Sequence, residues 1–182
     1  MILFLHGDEY AAAGYVSSAY AWADEDHWHR TRGKRAHPDN IPFGFGYRLA
    51  NLLHIGFHSA VQRDSTVDSI IQDYLAFAAS VESHTVVISW STTHCAELDK
   101  IKLFSNLLST KGIEHLFINS ESRLNGDGAR WLWNPQTQDI KSWAKSKNFL
   151  QNQHLNKDGH CILANELMLQ LTNQMNNLIL RT

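Results

Sequence analysis

Histidine and carboxylate side chains recur near the points where strands are predicted to end. Imidazole and carboxylate groups can exchange protons with a substrate, and together they also suit Zn, Mn or Fe. No predicted helix carries two histidines at the His-x-x-x-His spacing that places two metal ligands on one helix face. We therefore expect acid/base or binding chemistry, with no metal and no cofactor. The residues concerned are His6, Asp8, Glu9, His58, His94, His154 and His160.

Apolar patterning predicts the elements that position these residues. Short runs of apolar and β-branched residues indicate buried strands, and apolar residues recurring every three to four positions indicate helices. The predicted strands cover 1–5, 55–57, 85–90 and 113–118. The predicted helices cover 44–53, 64–78 and 98–112, with a last helix from 157 or 158 onward. We interpret the polar segments 24–40 and 119–138 as a surface excursion and a long loop.

Alternating strands and helices favour parallel pairing with right-handed crossovers. The sequence thus predicts a single domain over 1–182, an α/β/α sandwich of three layers with a central, mostly parallel sheet of flavodoxin-like type. Ligands in such folds bind beyond the carboxyl ends of the strands. The segments directly after the strands are therefore the candidate site.

Composition excludes several classes of function. Sixteen Lys and Arg against 18 Asp and Glu leave a formal charge of −2, so there is no basic excess for binding a nucleic-acid backbone. No apolar run approaches the roughly 20 residues needed to cross a bilayer, so we expect no membrane partner. Two cysteines do not make a disulfide framework, which favours a reducing, cytoplasmic location.

The first and last candidate segments resemble blocks of the SGNH/GDSL hydrolase superfamily, in particular its small, phage-type members. The first block, a strand followed by Gly-Asp-Ser, corresponds here to Gly7-Asp8-Glu9, so Glu9 stands at the serine position. The last block, a histidine shortly before a final Gly-His helix start, corresponds to His154. The triad Asp normally lies three residues earlier, where this chain has Gln151.

Two middle blocks are similar to the family with further changes. Arg63 stands where the family has a glycine of the oxyanion hole, ahead of Ser65. The loop after the third strand offers Ser91 and Thr92 in place of the usual Asn. These four residues, together with Asn156 from the last block, are our five candidates for substrate binding.

The resemblance implies that Asp8, Glu9 and His154 converge at the carboxyl edge of the sheet. Serine chemistry needs a hydroxyl nucleophile, a base and an acid that orients the base, and of these the histidine alone is clearly retained. We expect a pseudoenzyme or repurposed site that binds a small molecule or a protein partner. Two alternatives stay open: an active hydrolase of an ester or acetylated glycan through Glu9 and His154, or through a relocated serine, namely Ser17, Ser18, Ser65 or Ser91. If the chain is viral, the host cytoplasm is the expected location.

Overall fold

The computed structural model describes residues 1–7, 11, 38–62, 64–90, 92–119, 144–151 and 154–179. A parallel sheet is built from β1 (Ile2–Gly7), β2 (Gly56–Ser59), β3 (His84–Trp90) and β4 (His115–Asn119). The helices are α1 (Phe45–Leu52), α2 (Val67–Ala78), α3 (Leu98–Thr110) and α4 (Lys157–Ile179). Two 3-10 turns, Pro38–Phe43 and Thr92–Glu97, precede α1 and α3. A short antiparallel pair, β5 (Leu150–Gln151) and β6 (His154–Leu155), precedes α4.

The strand order is β2-β1-β3-β4, and every neighbouring pair is parallel. In this order β2 lies on one side of β1, and β3 followed by β4 lies on the other side. The carboxyl ends of β1 and β3 therefore flank the crevice where doubly wound sheets bind their ligands. The register sets Gly7 opposite Ser89 at this point.

Alternate residues of each strand point to opposite faces of the sheet, and helices pack against both faces. Leu3, Leu5 and Val87 pack in a core with residues of α1 and α4. Phe4 and Val86 pack with residues of α2 and α3 in a second core. The predicted α/β sandwich with a parallel sheet is thus confirmed.

Element boundaries differ from the predictions by one or two residues at β2 and β4. A larger difference concerns the start of α2, where the pattern predicts a cap at Asp64 or Ser65. Thr66 is the cap: its side chain accepts the Ser69 N–H, and the Ser69 hydroxyl accepts the Thr66 N–H, which forms a reciprocal capping box. Asp64 instead has a left-handed backbone, with φ of 52°, and turns the chain into the helix.

The start of α4 lies at Lys157, as the sequence predicts. Asn156 caps this helix, because its Oδ1 accepts the Gly159 N–H at 2.8 Å. Gly159 allows the β5–β6 hairpin to lie against the helix, since a Cβ there would be 2.9 Å from the Phe149 Cβ. The predicted long loop falls almost entirely outside the described residues, as does most of the predicted surface excursion.

Candidate functional site

Gly7 brings the end of β1 into close contact with the end of β3. A Cβ on Gly7 would lie 2.7 Å from the Ser89 carbonyl oxygen and 2.8 Å from the Ser89 Cβ. The φ of Gly7 is +144°, a conformation that residues with a side chain rarely adopt. The local geometry thus requires glycine at the residue that precedes Asp8 and Glu9.

The Ser89 hydroxyl is a buried polar group at the same position. Ser89 is 0% exposed, and its Oγ has no hydrogen-bond partner among the described residues. A buried hydroxyl without a hydrogen-bond partner lowers the stability of the folded state, and such groups are rare in native proteins. The junction between the carboxyl ends of β1 and β3 therefore carries, within the described structure, an unsatisfied buried polar atom.

Ser65 and His94 form a serine–histidine contact at the carboxyl edge. They are 4% and 1% exposed, and the loops that follow β2 and β3 bring them together. His94 Nε2 lies 2.8 Å from the Ser65 carbonyl oxygen and 3.5 Å from the Ser65 Oγ. Because a carbonyl accepts hydrogen bonds and does not donate them, Nε2 carries a proton and donates it to the carbonyl. That nitrogen therefore does not act as the base that would activate the Ser65 hydroxyl.

The surroundings of His94 favour the neutral imidazole. Burial lowers the pKa of His94 from its ordinary value of 6.5, while the Ser65 carbonyl and the Glu97 carboxylate act in the opposite direction. The Trp90 indole ring meets the imidazole edge to face, with the ring centres 5.5 Å apart. His94 thus joins two loops of the candidate edge as a neutral hydrogen-bond donor.

A second serine–histidine pair has the hydrogen-bond polarity of a catalytic dyad. His115 Nδ1 donates to the Ile113 carbonyl at 3.0 Å, and in the neutral ring this leaves Nε2 to accept the Ser105 O–H at 2.8 Å. The pair lies between α3 and the start of β4, at the amino edge of the sheet, and its residues are 2% and 0% exposed. It is therefore a core contact that no substrate reaches.

The loop before α4 positions His154. In the hairpin register, His154 pairs with Gln151, so the residue at the triad-acid position lies directly across from the histidine. Asn156 N–H donates to the Phe149 carbonyl at 2.8 Å, and Asn156 Nδ2 donates to the Asn148 carbonyl at 3.2 Å. These contacts give Asn156 a structural role, and its part in substrate binding stays a prediction.

His160 joins the first turns of two helices. Its Nδ1 accepts the Phe45 N–H at 3.2 Å, at the start of α1, and its ring stacks on the Phe45 ring. Gly44, the N-cap residue before α1, provides no side-chain cap, so the imidazole satisfies an amide that the helix leaves unpaired. This supports a packing role for His160.

Several predicted site residues fall outside the described part of the chain, namely Asp8, Glu9, Arg63 and Ser91, as do Ser17 and Ser18. Thr92 begins the 3-10 turn after β3, and of this residue the backbone is described. The predicted convergence of Asp8, Glu9 and His154 therefore stays a prediction. The observed Ser65–His94 contact was missed, because it depends on the shapes of two loops that carry no periodic pattern.

Within the described ranges, no group of three or more His, Cys, Asp or Glu residues is arranged to hold a metal ion. A search of the same ranges finds no helix with the length and apolar character needed to span a membrane. Comparison with family models, with curated proteins and with solved structures gives no match to this chain.

Proposed function

We propose that this chain is an SGNH-hydrolase-like protein that binds a ligand at the carboxyl edge of its sheet and has lost serine-based ester hydrolysis. The bound species is a small molecule such as an acetylated glycan, or a protein partner. The resemblance described above motivates the family assignment. The strand order and the position of the β1–β3 crevice are compatible with it.

One observation carries the loss of serine chemistry. At the carboxyl edge, the described serine–histidine pair has the wrong polarity, because His94 Nε2 donates to the Ser65 carbonyl. The pair with the right polarity, Ser105 and His115, is buried at the other edge. Neither pair presents an activated hydroxyl to a substrate, and Glu9 occupies the position where the resembling family has its nucleophile.

The retained crevice supports binding. Gly7 keeps the close approach between the ends of β1 and β3, and the buried Ser89 hydroxyl lies at that approach. A ligand or an ordered water in the crevice would supply a partner for this hydroxyl.

The test compares turnover by the wild type, Glu9→Ala, Glu9→Ser and His154→Ala. Glu82→Ala, which changes an exposed acid before β3, serves as the matched control. The substrates are 4-nitrophenyl acetate and a peracetylated monosaccharide, each with EDTA and with added Zn²⁺ or Mn²⁺. We expect no turnover by the wild type and a gain of activity in Glu9→Ser, because that change restores a hydroxyl at the family's nucleophile position.

Binding is read separately from the amide signals of Gly7 and Ser89 during titration with the acetylated monosaccharide. Shifts at both amides without turnover support a binding site. Wild-type turnover that is lost in both Glu9→Ala and His154→Ala, and kept in Glu82→Ala, would overturn the proposal in favour of Glu9/His154 acid–base catalysis.

A further inference from the structure

His6 is a fully buried histidine near the carboxyl end of β1, and both of its ring nitrogens make hydrogen bonds. Nδ1 accepts the N–H of Gly7 at 2.7 Å. Nε2 lies 2.9 Å from Oδ2 of Asp73, a residue of α2 whose side chain is 27% exposed. A chain of hydrogen bonds therefore runs from a partly exposed carboxylate on α2 to the backbone at the end of β1.

The two contacts of His6 require the same form of its imidazole ring. A backbone amide nitrogen donates and does not accept, so Nδ1 carries no proton where it meets the Gly7 N–H. The proton of the ring then lies on Nε2, which donates it to the Asp73 carboxylate. The other tautomer would set two donors against each other at Gly7 and two acceptors against each other at Asp73. Each hydrogen bond thus favours the tautomer that the other one needs.

Gly7 is held on both sides of its Cα. Its N–H is bound by His6, and its carbonyl oxygen accepts the Gln62 N–H at 3.3 Å. Because these two groups belong to the two peptide planes that flank the Cα, their hydrogen bonds fix both backbone angles of Gly7. A rare backbone conformation such as the φ of +144° persists only where the surroundings determine it. The approach of Gly7 to Ser89 therefore depends on these contacts.

Helix α2 supports both contacts of Gly7. The Gln62 side chain donates from Nε2 to the Ser69 Oγ at 3.1 Å, within the capping box at the start of the helix. Asp73 lies four residues after Ser69 and so follows it on the same face of α2. The helix thus reaches the end of β1 by two routes, one through Gln62 and the other through His6.

We propose that Asp73 is a positioning residue for the ligand site at the β1–β3 crevice. It fixes the tautomer of His6, and His6 in turn fixes the Gly7 amide opposite Ser89. The use of this crevice for binding rests on the proposed function, whereas the role of Asp73 toward Gly7 rests on the hydrogen bonds. Asp73 acts through His6, so its removal should alter the crevice without removing any group from it.

The first measurement determines the tautomer of His6 in the wild type. A long-range ¹H–¹⁵N spectrum of labelled protein at pH 8, above the ordinary pKa of histidine, distinguishes the two ring nitrogens. We expect a proton on Nε2, none on Nδ1, and a scalar coupling across the hydrogen bond from the Gly7 N–H to Nδ1. A proton on Nδ1 would overturn the proposal, and this result needs no variant.

Three variants test whether Asp73 sets this tautomer. Asp73→Asn keeps an oxygen that accepts from Nε2, so we expect the wild-type tautomer and Gly7 signal. Asp73→Leu removes the acceptor at similar size, so we expect a mixture of tautomers, a shifted Gly7 amide signal and about tenfold faster exchange of that amide. Asp68→Leu makes the same change on the same helix, at an exposed residue that pairs with Lys100, and should leave the His6 and Gly7 signals unchanged.

Titration of the same proteins with the acetylated monosaccharide tests the link to binding. We expect Asp73→Leu to weaken binding by about tenfold, and Asp73→Asn and Asp68→Leu to keep the wild-type affinity. A role in stability alone would lower the free energy of unfolding of Asp73→Leu without changing the tautomer or the Gly7 signal, and that result would overturn the proposal. Wild-type affinity in Asp73→Leu despite an altered tautomer would also overturn it.

The outcomes separate this inference from the proposed function. If the wild type does not bind the sugar, the proposed function fails, and the tautomer and the Gly7 signal alone decide the role of Asp73. If Asp73→Leu does not fold, the wild-type tautomer and the signals of Asp73→Asn decide it. Loss of the Nε2-protonated form in Asp73→Asn would then overturn the proposal.

Discussion

Two buried serines, Ser89 and Ser105, differ in whether the hydroxyl has a hydrogen-bond partner among the described residues. This difference predicts that replacing each with alanine changes the free energy of unfolding in opposite directions. Among the described residues the buried Ser89 Oγ has no partner, whereas the equally buried Ser105 hydroxyl donates to His115. We expect Ser89→Ala to raise the free energy of unfolding by about 1 kcal/mol, because the cost of an unpaired hydroxyl is removed. We expect Ser105→Ala to lower it by about 1–3 kcal/mol, because His115 Nε2 loses its hydroxyl donor.

Urea denaturation of the two variants at neutral pH measures both effects against the wild type. The two substitutions remove the same atom from sites of the same burial, so each serves as the control for the other. A loss in Ser89→Ala as large as that in Ser105→Ala would mean that the Ser89 hydroxyl has a partner, such as an ordered water, that stabilises the fold.

His94 makes stability depend on pH. Because burial lowers the pKa of His94 below 6.5, the unfolded chain takes up a proton on this residue at a higher pH than the folded chain does. The free energy of unfolding should therefore decrease as the pH falls below about 6.5, down to the pKa of the folded state. At higher pH His94 is neutral in both the folded and the unfolded chain, so its titration no longer changes the free energy of unfolding. Burial also lowers the pKa of His84, which acts in the same direction.

The variant His94→Gln isolates this effect, because Gln retains an N–H for the Ser65 carbonyl and does not titrate. Between pH 7.5 and 5, we expect its free energy of unfolding to depend less steeply on pH than that of the wild type. Identical slopes in the wild type and in His94→Gln would show that His94 has the same pKa in the folded and unfolded states.

At the scale of elements, β1 and β3 depend on the absence of a side chain at Gly7. Alanine there would require contacts under 3.0 Å with Ser89 and an unfavourable φ of +144°. We expect Gly7→Ala to lower the free energy of unfolding by about 3 kcal/mol or more, through strain and overpacking. Gly112 also has a positive φ, of +67°, but no described atom lies within 4 Å of the position that a Cβ would take there. Gly112→Ala should therefore cost about 1 kcal/mol.

Thermal and urea unfolding of the two glycine variants separate crowding from backbone strain. If Gly7→Ala costs no more than Gly112→Ala, the contact between the ends of β1 and β3 is looser than the distances indicate. Such a result would also weaken the argument for a preserved crevice at this point, because the close approach defines its base.

At the scale of the whole molecule, the sheet order predicts a gradient of protection. β1 and β3 are interior strands buried on both faces, whereas β2 lies at the edge of the described sheet and is partly exposed. Amides that exchange through global unfolding should therefore lie in β1 and β3. We expect Phe4 and Val87 amides to exchange most slowly, and Phe57 and Ser59 amides to exchange faster by at least an order of magnitude. Equal protection in β2 would indicate that another segment covers this edge.

The fold was predictable because its signals are local. The apolar periodicity of α2 and the β-branched run of β3 indicate their element types without reference to the rest of the chain. The alternation of these elements then implies parallel pairing. The β5–β6 pair was missed, since strands of two residues are too short to show a pattern.

The candidate site was less predictable, because its contacts join residues that are distant in sequence. The Ser65–His94 contact joins two loops, and the Asp73–His6 contact joins a helix to a strand. Asp73 carries no signal in the sequence beyond its place on the polar side of α2. Its nearness to His6 follows from the way the helix crosses β1, which periodicity does not specify.

The central position of β1 has a consequence for synthesis on the ribosome. β1 precedes both of its neighbours in the chain, and β3 is complete once Trp90 has been made. Until then, the apolar residues Leu3, Phe4 and Leu5 lack the strand that later pairs along one side. A nascent chain that stalls between β2 and β3 would therefore expose an unpaired strand edge, which is a common starting point for aggregation.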